Sequence, residues 1–159
     1  MRDRTRKAVH TERICLAIDL ENVSAKARRE GRLSTFLDEL VAKVKRAAGQ
    51  GVLLGGIGVG DRDLQRASAF RLADVRVRVH ARPHDGPDAS DLVLVDYLLS
   101  GRPPSTDTVV LASGDHIFAD VVAQLVDGGR RVVLMAVPGT VSAELFKRAT
   151  DFIALDDPR

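Results

Sequence analysis

A chain of 159 residues with 45% apolar and 29% charged residues has the material for one buried core without disulfide or metal staples. Trp is absent and aromatic residues make up only 4%, which argues against a stacking platform for bases, and a formal net charge of +2 does not by itself announce a nucleic-acid binder. That charge is uneven: residues 1–13 hold five Lys or Arg against two acids, so they supply +3 and leave the remainder at −1.

Residues 1–13 read as a basic, flexible tail and residues 14–159 as a single domain. The charged start is unlike a secretion signal, and no run approaches the ~18 apolar residues of a membrane span. The single cysteine, Cys15, sits in an apolar run, so an internal disulfide is excluded and a buried, inert thiol in a reducing, cytoplasmic setting is expected.

After the tail, apolar strands alternate with amphipathic helices. The first strand is predicted at residues 14–19 (ICLAID). A helix follows in which Leu33, Phe36, Leu37, Leu40, Val41 and Val44 make one buried stripe. Next come a strand at 52–59, a helix at 62–72, a strand at 75–81, a helix at 88–99 and a strand at 108–112. The last part holds a helix at 117–127 closed by Gly128-Gly129, a strand at 131–137, a helix at 141–149 and a short strand at 152–155. This alternation predicts a three-layer α/β/α domain with a mainly parallel sheet of five or six strands.

The strand at 75–81 differs from the others. Val75, Val77, Val79 and Ala81 fall on one face and Arg76, Arg78, His80 and Arg82 on the other, so only one face is buried and the strand belongs at a sheet edge. Its arginines, Arg76, Arg78 and Arg82, either guard the edge against pairing or contact nucleic-acid phosphates.

In an open parallel sheet, ligands bind beyond the carboxyl ends of the strands, where the strand order reverses. Asp19 ends the first strand and Asp115 follows VVLASG, both strands being apolar on both faces and therefore central. If they are neighbours, the two carboxylates come within reach of one metal ion. Asp115 alone is equally explained as a helix cap. The stretch DGPDASDLVLVDYLLS supplies further acids: Asp88 and Asp91 lie about 60° apart on a helix surface, whereas Asp96 is about 140° from Asp91. Asp88 has capping as a competing role and Asp91 the helix dipole. Asp96, in an almost wholly apolar helix, is expected to be paired or part of the site. Mg²⁺ or Mn²⁺ suits such a cluster, since both take carboxylate and water oxygens and bridge to phosphates. His10, His80, His84 and His116 are scattered and offer no zinc spacing.

These segments resemble the NYN domain family, a branch of the PIN-like metal-dependent ribonucleases. AIDLENV is similar to its first motif, an Asp at a strand end with Asn three residues on, here Asp19 and Asn22. VLASGDHIF, LVDGGRRVVLMAVPG and VSAELFKRATDFIAL are similar, in order and spacing, to its second signature. The resemblance implies a ribonuclease-like fold with strand order 3-2-1-4-5 and an acidic metal site. Asp19 and Asp115 would hold the ion, Asn22 would orient substrate or water, and Ser113 would support the loop. Of the two candidates on the third helix, Asp91 fits the family's acid better than Asp88. The chain departs from the pattern at Ile117, where many relatives have a second acid. Asp120, one turn on, is the alternative carboxylate.

The expected activity is divalent-metal-dependent hydrolysis of RNA through Asp19, Asn22, Asp91 and Asp115, with Asp88, Asp96, Ser113 and Asp120 in support. A weak or inactive RNA-binding module and an aspartyl-nucleophile phosphatase are the alternatives. RNA is the expected partner, with no membrane, and homo-oligomerisation is left open. The glycines of GGIGVGDRD give G-x-G-x-G after the second strand rather than G-x-G-x-x-G after the first, so no dinucleotide is expected.

Overall fold

A computed structural model describes residues 11–156; most of the basic tail, including His10, and residues 157–159 lie outside the described residues. The elements are β1 Arg13–Asp19, α1 Leu20–Arg29, α2 Leu33–Ala48, β2 Val52–Gly60, α3 Arg62–Ala73 and β3 Val77–Ala81. They continue with α4 Ala89–Asp96, β4 Thr108–Ala112, α5 Ala119–Asp127, β5 Arg131–Ala136, α6 Ala143–Arg148 and β6 Asp151–Ala154. A π-helical turn at Tyr97–Gly101 extends α4, and a 3-10 turn at His116–Phe118 leads into α5. Among the described residues no helix is long and apolar enough to cross a membrane.

All strand pairs are parallel, in the order β3-β2-β1-β4-β5-β6. The sheet therefore has six strands, with β6 added beyond the five that the family resemblance implies. Alternation along β1 sorts the core into two layers. Ile14, Leu16 and Ile18 face the stripe of α2 (Phe36, Leu37, Leu40, Val44) together with Leu20 and Val23 of α1 and Leu64 and Leu72 of α3. Cys15 and Ala17 face Leu94 of α4, Leu98 of the π-helical turn, Val122 and Leu125 of α5, and Leu145 of α6. Each fully buried Leu or Phe contributes roughly 1.5–3 kcal/mol, so the stripe of α2 alone anchors that helix.

Two glycines of β2 record how closely it lies on β1. The register slips between Ile14 and Cys15, opposite Leu54, and Gly55 takes a φ of +136° there. A Cβ on Gly56 would stand 2.2 Å from the Leu16 carbonyl oxygen. The glycine run thus serves strand packing, and it lies within β2 rather than at a strand-to-helix turn.

Two expectations are corrected locally. Helix α1, which begins directly after Asp19 and buries Leu20, Val23, Ser24 and Ala27 at helical spacing, is an element that strand and helix periodicity did not predict. The edge strand begins at Val77 rather than residue 75. Val75 is buried at the end of the α3 turn, and Arg76 has a φ of +63°, outside the ladder, so Arg76 does not share a strand face with Arg78. At the other edge, β6 is fastened to α2. Arg32 donates to both Asp156 oxygens at 2.8 and 3.0 Å, Glu39 accepts from the Asp156 N–H at 2.9 Å, and Lys43 donates to the Ala154 carbonyl.

Candidate metal and phosphate site

β1 and β4 are neighbours, with Ile18 opposite Ala112, so Asp19 and Ser113 emerge side by side at their carboxyl ends. From there the chain departs to opposite faces, α1 into one helical layer and the 3-10 turn and α5 into the other, which opens a crevice at this boundary. A cleft of about 390 Å³ occupies it, lined by Asp19, Asn22, Asp91 and Asp115 along with Glu21, Arg82, Asp85, Asp88 and Ser90.

Each residue of the Ser-Gly-Asp segment has a traceable task. Ser113, fully buried, donates its hydroxyl to Asp19 Oδ2 at 3.1 Å and accepts the Asp115 N–H at 3.1 Å. The Gly114 N–H donates to Asn22 Oδ1 at 2.9 Å, a bond that fixes the amide and does not consume its Nδ2 donors. A Cβ on Gly114 would lie 2.8 Å from the Thr140 carbonyl oxygen, and its own carbonyl accepts the Ser142 N–H that starts α6. Asp115 caps the 3-10 turn by accepting the Ile117 N–H at 3.1 Å, while Asp19 caps α1 through the Asn22 N–H at 3.4 Å. Capping and membership of the cleft therefore coexist in both aspartates.

The carboxyls strain one another. Asp19 is 3% and Asp91 8% exposed, and the two stand within hydrogen-bonding reach. Burial, then the neighbouring Asp91 charge, pushes the Asp19 carboxyl up to about 7. Burial, then the Asp115 charge, pushes Asp91 up to about 6. Taking an anion out of water beside another anion is costly, so the site favours either a proton or a cation.

Among the other candidates, Asp88 stands at the start of α4 with a φ of +63° and makes no cap bond; it interacts with Asp91 and lines the cleft. Asp96 is exposed on α4, accepts from Ser100 and does not line the cleft, so the apolar character of the helix does not bury its charge. Asp120 is exposed and does not line it either. His116 is exposed, with Nδ1 3.3 Å from Asp115 Oδ1. Arg78 is exposed on β3, whereas Arg82 is held by Glu21 at 2.6 Å. Glu21, Asp85 and Ser90 were not legible as cleft residues. Glu21 had a usable signal, its place between Asp19 and Asn22, once a helix is known to start at residue 20.

The family model for the NYN domain matches residues 13–156. The chain belongs to the NYN domain family. NYN domains are a branch of the PIN-like nuclease superfamily. A crystal structure of a protein of unknown function from Vibrio parahaemolyticus has the same fold, with a TM-score of 0.72 at 23% identity over 95% of this chain and 97% of that one. Among curated proteins none matches the chain.

The donors this NYN domain offers are carboxylate, amide and hydroxyl oxygens, the chemistry that hard divalent ions take. Among the described residues no three His, Cys, Asp or Glu side chains close into a metal cage. Mg²⁺ does not need one, because it keeps several waters and is held through one or two carboxylates plus substrate phosphates. The buried Asp19–Asp91 pair with Asp115 beside it fits that mode.

Proposed function

We propose that this NYN domain is a divalent-metal-dependent ribonuclease. The observation that supports it is the convergence of Asp19, Asp91 and Asp115, from three separate segments of the chain, on one strand-end cleft that also contains Asn22. Asp19 and Asp91 would hold the ion from the sheet side and from α4, and Asp115 would complete the acidic rim. Ser113 fixes the Asp19 carboxylate and, through the Asp115 N–H, the turn that presents Asp115. The Nδ2 donors of Asn22 would orient a phosphate oxygen or an attacking water. When bound, Mg²⁺ or Mn²⁺ would neutralise the carboxylates and provide Lewis-acid activation for hydrolysis of the phosphodiester.

A binding role without cleavage is favoured by one specific observation: among the described residues no three His, Cys, Asp or Glu side chains close into a metal cage, and Asp120 does not line the cleft. The deciding experiment is incubation of purified protein with Mn²⁺ and single-stranded RNA. The nuclease reading expects slow cleavage that chelator abolishes, that Asp19→Asn and Asp115→Asn lose while folded, and that Asp96→Asn retains. Retardation of RNA in a gel with no cleavage would replace it with the binding module. Hydrolysis of a phosphomonoester that disappears with Asp19→Asn, without RNA cleavage, would point to an aspartyl nucleophile.

A further inference from the structure

Six of the residues lining the cleft carry carboxyls, and Arg82 is the one Lys or Arg among them. Its guanidinium is already engaged. Nη1 donates to Glu21 Oε2 at 2.6 Å and Nη2 to Asp85 Oδ1 at 3.2 Å, while Ser90 Oγ donates to the other Glu21 oxygen at 3.5 Å. Glu21 lies in the first turn of α1, two residues beyond Asp19, so the arginine holds back a carboxylate that belongs to the same cleft. The pair is open to solvent, with the Arg82 and Glu21 side chains 29% and 28% exposed. A solvent-reachable ion pair is weak, because water screens both charges, so exchanging its partner costs little. A phosphate is a strong competitor for a guanidinium because it accepts two parallel hydrogen bonds from the planar fork.

We propose that Glu21 and Arg82 form an exchangeable pair: an RNA phosphate takes Arg82 from Glu21, and the released Glu21 carboxylate becomes an additional acid of the metal site. The inference rests on the metal-dependent reading of the cleft. No covalent bond changes. One anion replaces another on Arg82, and the displaced carboxylate moves to the divalent cation, so charge stays matched at both ends. The exchange accounts for two observations together, the absence of a three-carboxylate cage among the described residues and the presence of a cation inside an acidic cleft. It makes metal and RNA mutually dependent, each binding better in the presence of the other.

The test is calorimetric titration of Mn²⁺ into full-length protein, alone and saturated with a short, uncleavable 2′-O-methyl oligouridine. In wild type the oligonucleotide tightens Mn²⁺ binding by about tenfold more than it does in Glu21→Gln, a coupling of ordinary allosteric size. Glu21→Gln, which leaves the Arg82 charge in the cleft without its anion, binds Mn²⁺ no more tightly than wild type when RNA is absent. Arg82→Gln, by freeing Glu21, binds Mn²⁺ more tightly than wild type without RNA and binds the oligonucleotide more weakly. Arg82→Lys, which keeps the charge but not the fork, falls between them. Thermal unfolding verifies that each variant is folded. The exchange is overturned if Glu21→Gln keeps the full tightening, or if Arg82→Gln leaves RNA-free Mn²⁺ affinity unchanged, while Asp19→Asn still abolishes Mn²⁺ binding. A wild type that binds no Mn²⁺ with or without the oligonucleotide overturns the metal reading and the exchange with it.

Discussion

The Ser113 hydroxyl donates to Asp19 Oδ2 at 3.1 Å, joining the carboxyl ends of β1 and β4 across 94 residues of sequence. The same oxygen accepts the Asp115 N–H, so one side chain sets the positions of two cleft carboxylates. Ser113→Ala removes both bonds and leaves the Asp115 N–H without its partner. The expected result is a folded protein destabilised by about 1–3 kcal/mol and a Mn²⁺ affinity weakened by about 10–100-fold. Denaturant unfolding and calorimetry read the two effects separately. An unchanged affinity would leave Ser113 with a purely structural task.

The strained Asp19–Asp91 pair predicts how stability depends on pH when metal is chelated. A carboxyl whose folded pKa is raised binds more protons folded than unfolded, so it penalises folding at high pH and the penalty is relieved as pH falls. With Asp19 at about 7 and Asp91 at about 6, against unfolded values near 4, the penalty is full above about pH 7 and fades on acidification toward pH 4. In EDTA the melting temperature should therefore be higher at pH 5.5 than at pH 8. Asp19→Asn should melt above wild type at pH 8, by roughly 2–4 °C per kcal/mol relieved, with the margin narrowing on acidification. Asp156, lowered chiefly by its hydrogen bonds from Arg32, acts in the opposite sense but only at more acidic pH. An Asp19→Asn variant less stable than wild type at pH 8 would show that its carboxylate is not strained.

Ile117 is half-buried, two residues beyond Asp115, and its N–H is the one that Asp115 caps. If the number of acids limits activity, Ile117→Asp raises Mn²⁺-dependent cleavage of single-stranded RNA above wild type by about tenfold or more, the scale on which metal-site support acts. Initial rates at saturating Mn²⁺ measure it. A folded variant that cuts no faster would place the limit elsewhere in the cleft.

Arg78, on β3, and Arg76, just before it, are exposed, and neither guanidinium has an ion-pair partner among the described residues. If they contact RNA phosphates, replacing both with Gln flattens the salt dependence of single-strand binding by roughly 0.7 slope units per lost contact. Stability should move by no more than about 0.5 kcal/mol. Binding measured across a salt series decides it, and an unchanged slope would leave Arg78 as a guard against edge pairing.

Strand positions and their layering were legible because central parallel strands are apolar on both faces, and β3 announced its edge place by alternation. Helix α1 was harder to see. Of its ten residues only Leu20, Val23 and Ala27 are apolar and buried, and the fourth inward position is Ser24, which donates its hydroxyl back to the Leu20 carbonyl. The strand-end aspartates could be named from sequence because a parallel sheet gathers its carboxyl ends. Choosing between Asp88 and Asp91 rested on motif spacing, and geometry adds that Asp91 is buried against Asp19 while Asp88 is exposed. Asp96 shows the limit of arguing from helix composition. A helix can be apolar in most residues and still turn one charged position to solvent, where Asp96 meets Ser100.

The clamp of α2 on the last strand bears on how this chain folds. Glu39 and Arg32 reach Asp156 across 117 and 124 residues of sequence, so α2 gains those partners only when a loop of that size closes. Closing it costs conformational entropy before any of these contacts repays it. Helix α2, rich in local contacts, can form early, but its seat at the β6 edge is completed late. Contacts of such large sequence separation slow the closing steps of folding. Weakening the clamp, as Asp156→Ala would, should then hasten unfolding far more than it slows folding.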